Sequence, residues 1–166
     1  MQLLMSLEIH DQLVRELRSS GSREIGGLLF AEHLGRDTFR LVEVSVQRKG
    51  GTTGQFVRDP QEHQEQLNRF FERTGDDYIR FNYLGEWHSH PSFGAVPSPE
   101  DIETMKSLVS DPSVGANFVV LLIVRRQDSR LAVSATVFRR SEEPLAARVF
   151  IEAVREVLPV RRRRFL

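Results

Sequence analysis

The 166-residue chain contains no cysteine. That removes disulfides, thiolate metal ligands and a cysteine nucleophile, and it fits a reducing compartment. Long hydrophobic runs are missing too. The most extended, Phe118 to Val124, falls far short of the roughly 20 residues that span a bilayer. Met1 to Leu7 carries no basic segment of the kind that opens a secretory signal. Nor does one sign of charge dominate: 23 Lys and Arg balance 23 Asp and Glu, so no global field draws nucleic acid or an anionic membrane. These absences lead to the expectation of a soluble, cytoplasmic protein with no membrane partner. What is present is ordinary for a globular domain. Apolar residues make up 40% and charged residues 28%, in a chain long enough to bury its own core as one domain.

Hydrophobic periodicity gives the element order. Ile9, Leu13, Val14 and Leu17 recur at helical spacing up to Gly21. Ile25 to Ala31 reads as a strand buried on both faces, and Phe39 to Val46 alternates as a second strand. Arg48 to Gly54, with three glycines and two threonines, reads as a mobile loop. A helix follows Asp59-Pro60, with Leu67, Phe70 and Phe71 on its apolar face, and Tyr78 to His88 returns to strand. Ser98 opens a helix running to about Ser110. Asn117 to Val124 and Leu131 to Phe138 form an antiparallel pair around a polar turn, and Glu142 to Leu158 is expected to be a final helix. The chain therefore predicts an α/β (α+β) domain over residues 1–158, a single mixed sheet flanked by helices, with a basic tail over 159–166.

The segment Gly85-Glu86-Trp87-His88-Ser89-His90-Pro91 carries the chemistry. Alternate strand residues share a face, so His88 and His90 can present two imidazoles to one point while Ser89 turns away. Ser98-Pro99-Glu100-Asp101 is a helix start, with Ser at the N-cap and Pro at the first helical position. Asp101 then occupies the third helical position and faces back toward the strand end. Two neutral imidazoles and one carboxylate suit a divalent metal with one position open, where a bound water has its pKa lowered to roughly 7. Glu86 shares the parity of His88 and His90 and is a candidate general base or a partner orienting an imidazole. The bland readings are packing or surface roles for His10, His33 and His63, and simple helix capping by Ser98 and Asp101.

The pattern His88-x-His90-Pro91, then Ser98, then Asp101, resembles the metal signature of the JAB1/MPN/Mov34 metalloproteases, the JAMM or MPN+ family. That signature also has a glutamate well upstream, before Gly and Leu on a buried strand. Glu24-Ile25-Gly26-Gly27-Leu28-Leu29 is similar to it. The resemblance implies a fold loosely shared with cytidine deaminases and one catalytic Zn²⁺, held by His88, His90 and Asp101. It implies that Glu24 is the proton-transfer residue and that Ser98 stabilises the oxyanion. The residues alone leave the base open between Glu24 and Glu86; the resemblance selects Glu24. Gly26 and Gly27, lacking bulk, leave room for a substrate backbone or for the facing strand. Sharing Ser98 between cap and substrate implies a loosely capped helix.

The wording of the motif and the compact length are most similar to the prokaryotic branch of the family. That implies an isopeptidase or peptidase cutting after the C-terminus of a ubiquitin-like protein, in conjugates or a precursor. Partners would include E1- and E2-like enzymes of the same operon, in a ubiquitination-like or anti-phage system. The Gly50 to Gly54 loop and the strand before it are candidates for the edge that takes the modifier's tail, and the short segment between Asp101 and Asn117 leaves no room for an added zinc-bearing insertion. Alternatives are trimming of a sulfur-carrier protein in cofactor or cysteine biosynthesis, and a non-catalytic MPN scaffold. Arg161 to Arg164 is basic enough to touch phosphate, but a solvated tail without interleaved aromatics is the simpler reading.

Overall fold

A computed structural model describes residues 1–53 and 56–152. The chain opens with β1 (Gln2–Ser6), in which Leu3 and Met5 alternate into the core with no exposure. Ser6 then accepts a hydrogen bond from the Ile9 amide and caps α1 (Leu7–Ser20), which buries Ile9, Leu13 and Leu17 and stops at Gly21. β2 (Gly26–Gly35) and β3 (Thr38–Val44) form an antiparallel hairpin. Asp59 caps α2 (Pro60–Arg73), whose Phe70 stacks on Phe30 of β2. β4 (Phe81–Ser89) precedes α3 (Pro99–Ser110), and β5 (Phe118–Gln127), β6 (Arg130–Arg139) and β7 (Leu145–Glu152) complete the order.

The strands run β1-β3-β2-β4-β5-β6-β7, and β7 pairs in parallel with β1, so the mixed sheet closes on itself. Helix α1 lies against β1, β3, β5, β6 and β7, with its apolar stripe in the same core as Leu29, Leu84, Trp87 and Leu122. α2 packs on β2 and β4, and α3 on β5 and β6, through separate apolar clusters. One register shift matters for the site. β2 pairs Leu29 with Gly85 but Phe30 with Tyr83, so Leu84 is an extra residue in β4. Leu84 and Trp87 thereby both enter the α1 core, while Tyr83 packs on the α2 and α3 side.

The chain's last described element departs from expectation. A helix over Glu142 to Leu158 is wrong for Leu145–Glu152, which is β7; residues 153–158, like the 159–166 tail, lie outside the described residues. This stretch has good local helix formers, but the unpaired edges of β1 and β6 take its backbone hydrogen bonds instead. Ala147 and Val149 then pack against the core at strand spacing. Among the described residues no helix is long and apolar enough to cross a membrane.

Candidate metal centre and hydrolytic site

Three elements meet at the site. β4 delivers His88 in its last turn of pairing with β2 and β5, and His90 follows directly, its amide bonded to the Val124 carbonyl at 3.0 Å. α3 delivers Asp101. The segment before β2 delivers Glu24. Ser89, which faces away from the two imidazoles, joins the first and third of these. Its amide donates to the Ile25 carbonyl at 2.8 Å, and its hydroxyl accepts from the Ile25 amide at 3.0 Å. The residue between the two histidines thus fixes the backbone next to Glu24. Sequence reasoning missed this; the only signal was a small hydroxylated residue at an inward position.

The donor set is compact. His88 Nε2 lies 3.1 Å from His90 Nε2 and 3.1 Å from Asp101 Oδ1, and His90 Nε2 lies 3.5 Å from Asp101 Oδ2. A tetrahedral ion with ligand distances near 2.0 Å sets its donors about 3.3 Å apart, close to the separation of the imidazole nitrogens and of each from a carboxylate oxygen, so the donor set fits zinc. The tautomer of His90 agrees. Its Nδ1 lies 3.1 Å from the Gly94 carbonyl, which can only accept, so Nδ1 carries the proton and Nε2 presents a lone pair. Three acceptor atoms converging without a cation would repel. With a proton in place of a cation they attract instead: the bond to Asp101 raises His90 despite burial. Burial raises Asp101, but bonds from His88, His90 and Ser98 outweigh it and hold the carboxyl far below the usual range. His88, His90 and Asp101 are the group among the described residues able to hold a metal ion.

Ser98 is more firmly engaged than expected. Its hydroxyl accepts from the Asp101 amide at 3.1 Å and donates to Asp101 Oδ2 at 2.7 Å, while its own amide donates to the same oxygen at 2.7 Å. The loosely capped helix start is therefore corrected: α3 begins with a complete reciprocal capping box, and that box orients the metal-facing carboxylate.

Glu24 is 4% exposed and lines the same cavity of about 790 Å³ as His88, His90, Ser98 and Asp101. Burial raises its carboxyl above the ordinary value, with His88 and His90 opposing. The glycine-rich loop expected to be mobile is anchored over it. The Glu24 amide donates to the Thr52 carbonyl at 2.8 Å, and a Cβ on Gly51 would lie 1.9 Å from the Glu24 carbonyl oxygen. Buried Gln47 holds the loop's base, donating from Nε2 to the carbonyls of Lys49 and Val57 at 2.7 Å each. Gly26 and Gly27 serve the facing strands: a Cβ would lie 2.5 Å from the Trp87 carbonyl oxygen at one and 2.2 Å from that of Ser45 at the other.

Glu86 faces the cavity as its strand parity requires, but its described partner is not an imidazole. Arg58 Nε donates to Glu86 Oε2 at 2.7 Å. Burial raises the Glu86 carboxyl, and Arg58 opposes that. Of the other histidines, His10 and His63 are buried and His33 is exposed and stacked on Phe39, none of them near the metal ligands.

The fold and this constellation define a class, and comparison with known proteins agrees. The family described as prokaryotic homologs of the JAB domain matches residues 6–139, and the chain belongs to it. A Vibrio cholerae protein named CD-NTase/cGAS isopeptidase is 38% identical over 85 residues, covering 48% of this chain and 49% of that one. The match thus spans about half the length of that relative. A protein of the same name from Enterobacter hormaechei is 25% identical over 150 residues, covering 88% of this chain and 80% of that one. The solution structure of protein DSY2949 from Desulfitobacterium hafniense superposes with a TM-score of 0.67 at 21% identity over 94% of this chain and 96% of that one, a likeness of fold.

Proposed function

We propose that this protein is a zinc-dependent isopeptidase or peptidase that hydrolyses the amide bond after the C-terminus of a ubiquitin-like modifier, freeing a conjugated amine or trimming a precursor. One observation carries the reading. The converging atoms of His88, His90 and Asp101 share a cavity with Glu24, whose carboxylate has no hydrogen-bond or ion-pair partner among the described residues. The relatives named CD-NTase/cGAS isopeptidase support an amide between a protein C-terminus and an amine as the scissile bond, in a CD-NTase defence setting. The complete set of site residues speaks against a non-catalytic scaffold.

His88, His90 and Asp101 would hold the zinc, which would supply Lewis-acid polarisation and lower the pKa of a water. Glu24 takes a proton from the attacking water as its oxygen bonds to the carbonyl carbon. It returns that proton to the nitrogen as the C–N bond breaks, giving a carboxylic acid and an amine, and passage of the second water proton to the amine leaves a carboxylate and an ammonium. Burial suits Glu24 to this, because a raised pKa brings it closer to working pH. Ser98 orients Asp101, and when its hydroxyl turns from Oδ2 it donates to the developing oxyanion. The 50–53 segment packs on the Glu24 backbone, and Phe56, Val57 and Arg58 after it form the cavity wall along which the tail would lie.

The test is a panel of fusions in which a reporter follows ubiquitin-like, sulfur-carrier or CD-NTase C-termini. Cleavage at the junction of one or more is expected. Failure of every fusion with zinc-loaded protein would contradict the reading, and exclusive cleavage of sulfur-carrier fusions would replace the modifier assignment.

A further inference from the structure

The pair Arg58–Glu86 stands where two cavities meet. Both residues line the metal cavity, and both also line a second cavity of about 860 Å³ between α2 and α3. The second is walled by apolar side chains, among them Leu67 and Phe71 of α2, Tyr83 of β4, Leu108 of α3 and Phe118 of β5. A chain leaving the metal site toward this cavity has to cross the pair.

Arg58 is held in place on three sides. Gln47 donates to the carbonyl of Val57 before it and accepts from the amide of Asp59 after it, at 2.7 and 2.8 Å. Gln47 itself is 2% exposed. Glu86 takes the side chain at Nε. The arginine side chain is 30% exposed and the glutamate 8%, so a buried anion presents a partly open cation to the cavities. A buried ion pair offers a fold little over two apolar side chains of similar volume. It does supply a rigid, planar fork of N–H donors at a fixed height above the cavity floor, a geometry suited to oxygen acceptors.

We propose that Arg58, positioned by Glu86 and Gln47, is a substrate-binding residue that donates hydrogen bonds to an oxygen acceptor of the polypeptide as it passes from the metal site toward the cavity between α2 and α3. The acceptor is a main-chain carbonyl or an acidic side chain near the cut. The inference rests on the hydrolytic reading above. Arg58 does not touch the scissile bond in this scheme, so its contribution is to binding. Glu86 is a positioning residue, acting through Arg58.

The experiment uses the zinc-loaded 166-residue chain and a fusion from the panel above. In Arg58→Ala, KM is expected to rise about tenfold to a hundredfold, the range for losing a charge-assisted hydrogen bond, with kcat within about threefold. Arg58→Lys, which keeps the charge and packing but not the fork, is expected to fall between, and so guards against a misfolded alanine variant. Glu86→Gln is expected to raise KM less than Arg58→Ala. Binding of uncut fusion to a Glu24→Gln background, read by fluorescence anisotropy, is expected to weaken by the same factor when Arg58 is replaced. If alanine in place of every Asp and Glu near the cut removes the Arg58→Ala effect, the acceptor is a carboxylate; if the effect persists, it is a carbonyl. Unchanged KM and unchanged anisotropy in both Arg58 variants overturn this inference alone and leave the hydrolytic reading standing. A fall in kcat at constant KM also overturns it. Failure of the native protein to cut any fusion overturns both.

Discussion

Two buried carboxylates face one cavity from adjacent walls, Glu24 from the segment before β2 and Glu86 from the paired strand β4. Both are raised by burial, Glu24 at 4% and Glu86 at 6% exposure. They differ in company. Glu86 has a guanidinium at 2.7 Å, whereas among the described residues Glu24 has His88 and His90 to offset its charge. The lesson is that burial alone does not make a base. A carboxylate already neutralised by a fixed cation gains little from taking a proton, while one left without a counter-charge beside a metal site exchanges it readily.

Breaking this comparison is direct. Glu24→Gln is expected to keep stoichiometric zinc and lose about 10²- to 10⁴-fold in kcat, the range for removing a positioned general base, whereas Glu86→Gln keeps most of kcat. Metal analysis and steady-state kinetics on the two proteins check this. Normal cleavage by Glu24→Gln with an inactive Glu86→Gln would reverse the two walls. Ser98→Ala comes next. As an oxyanion donor Ser98 is worth about 10²- to 10³-fold in the kcat of zinc-loaded protein, while as the cap that orients Asp101 its loss costs about 1 kcal/mol of stability and weakens zinc binding with that kcat little changed; parallel melting, metal-binding and rate measurements separate the two.

Ser89 ties the walls together, so Ser89→Ala sharpens the comparison. It leaves the buried Ile25 amide without its acceptor, a cost of about 1–3 kcal/mol seen as a lower denaturant midpoint. Zinc is retained and kcat falls more than KM changes, with Ser89→Thr restoring both; loss of zinc instead would show that the link serves the ligands rather than Glu24.

The smallest effect lies away from the site. His63 is buried, its Nε2 has no partner among the described residues, and burial, helped by Arg58, lowers its pKa. The unfolded chain therefore binds this proton more readily. Its share of stability is full above the ordinary histidine pKa near 6.5 and is lost as pH falls through that value toward the folded one. The raised Glu24 and Glu86 carboxyls change stability with the opposite sign but are common to both chains, so they drop out of a difference. Between about pH 7 and 5, His63→Gln is expected to lose less stability than the native protein in parallel denaturant titrations; identical slopes would contradict it.

Much of the site was legible because its constraints are local. Strand alternation places His88 and His90 on one face, and Ser98-Pro99-Glu100-Asp101 specifies a helix start within four residues. Glu24 needed the family resemblance, since nothing local links it to residues some sixty positions later. The partners of Glu86 and Ser89 were not legible for the same reason: Arg58 and Ile25 reach them across 28 and 64 residues. β1 escaped notice because Leu3 and Met5 alone are too short a pattern. β7 was misread because Ala, Leu, Arg and Glu favour helix locally, and pairing with β1 and β6 overrides them.

The central claim is that His88, His90 and Asp101 hold a zinc ion on which hydrolysis depends. Its most direct test is metal content and cleavage of the panel fusions by native protein before and after chelation, alongside His88→Ala and Asp101→Ala. One zinc per chain, loss of cleavage with chelator, recovery on adding zinc, and neither metal nor activity in the two variants are expected. Full cleavage by metal-free protein would contradict the account.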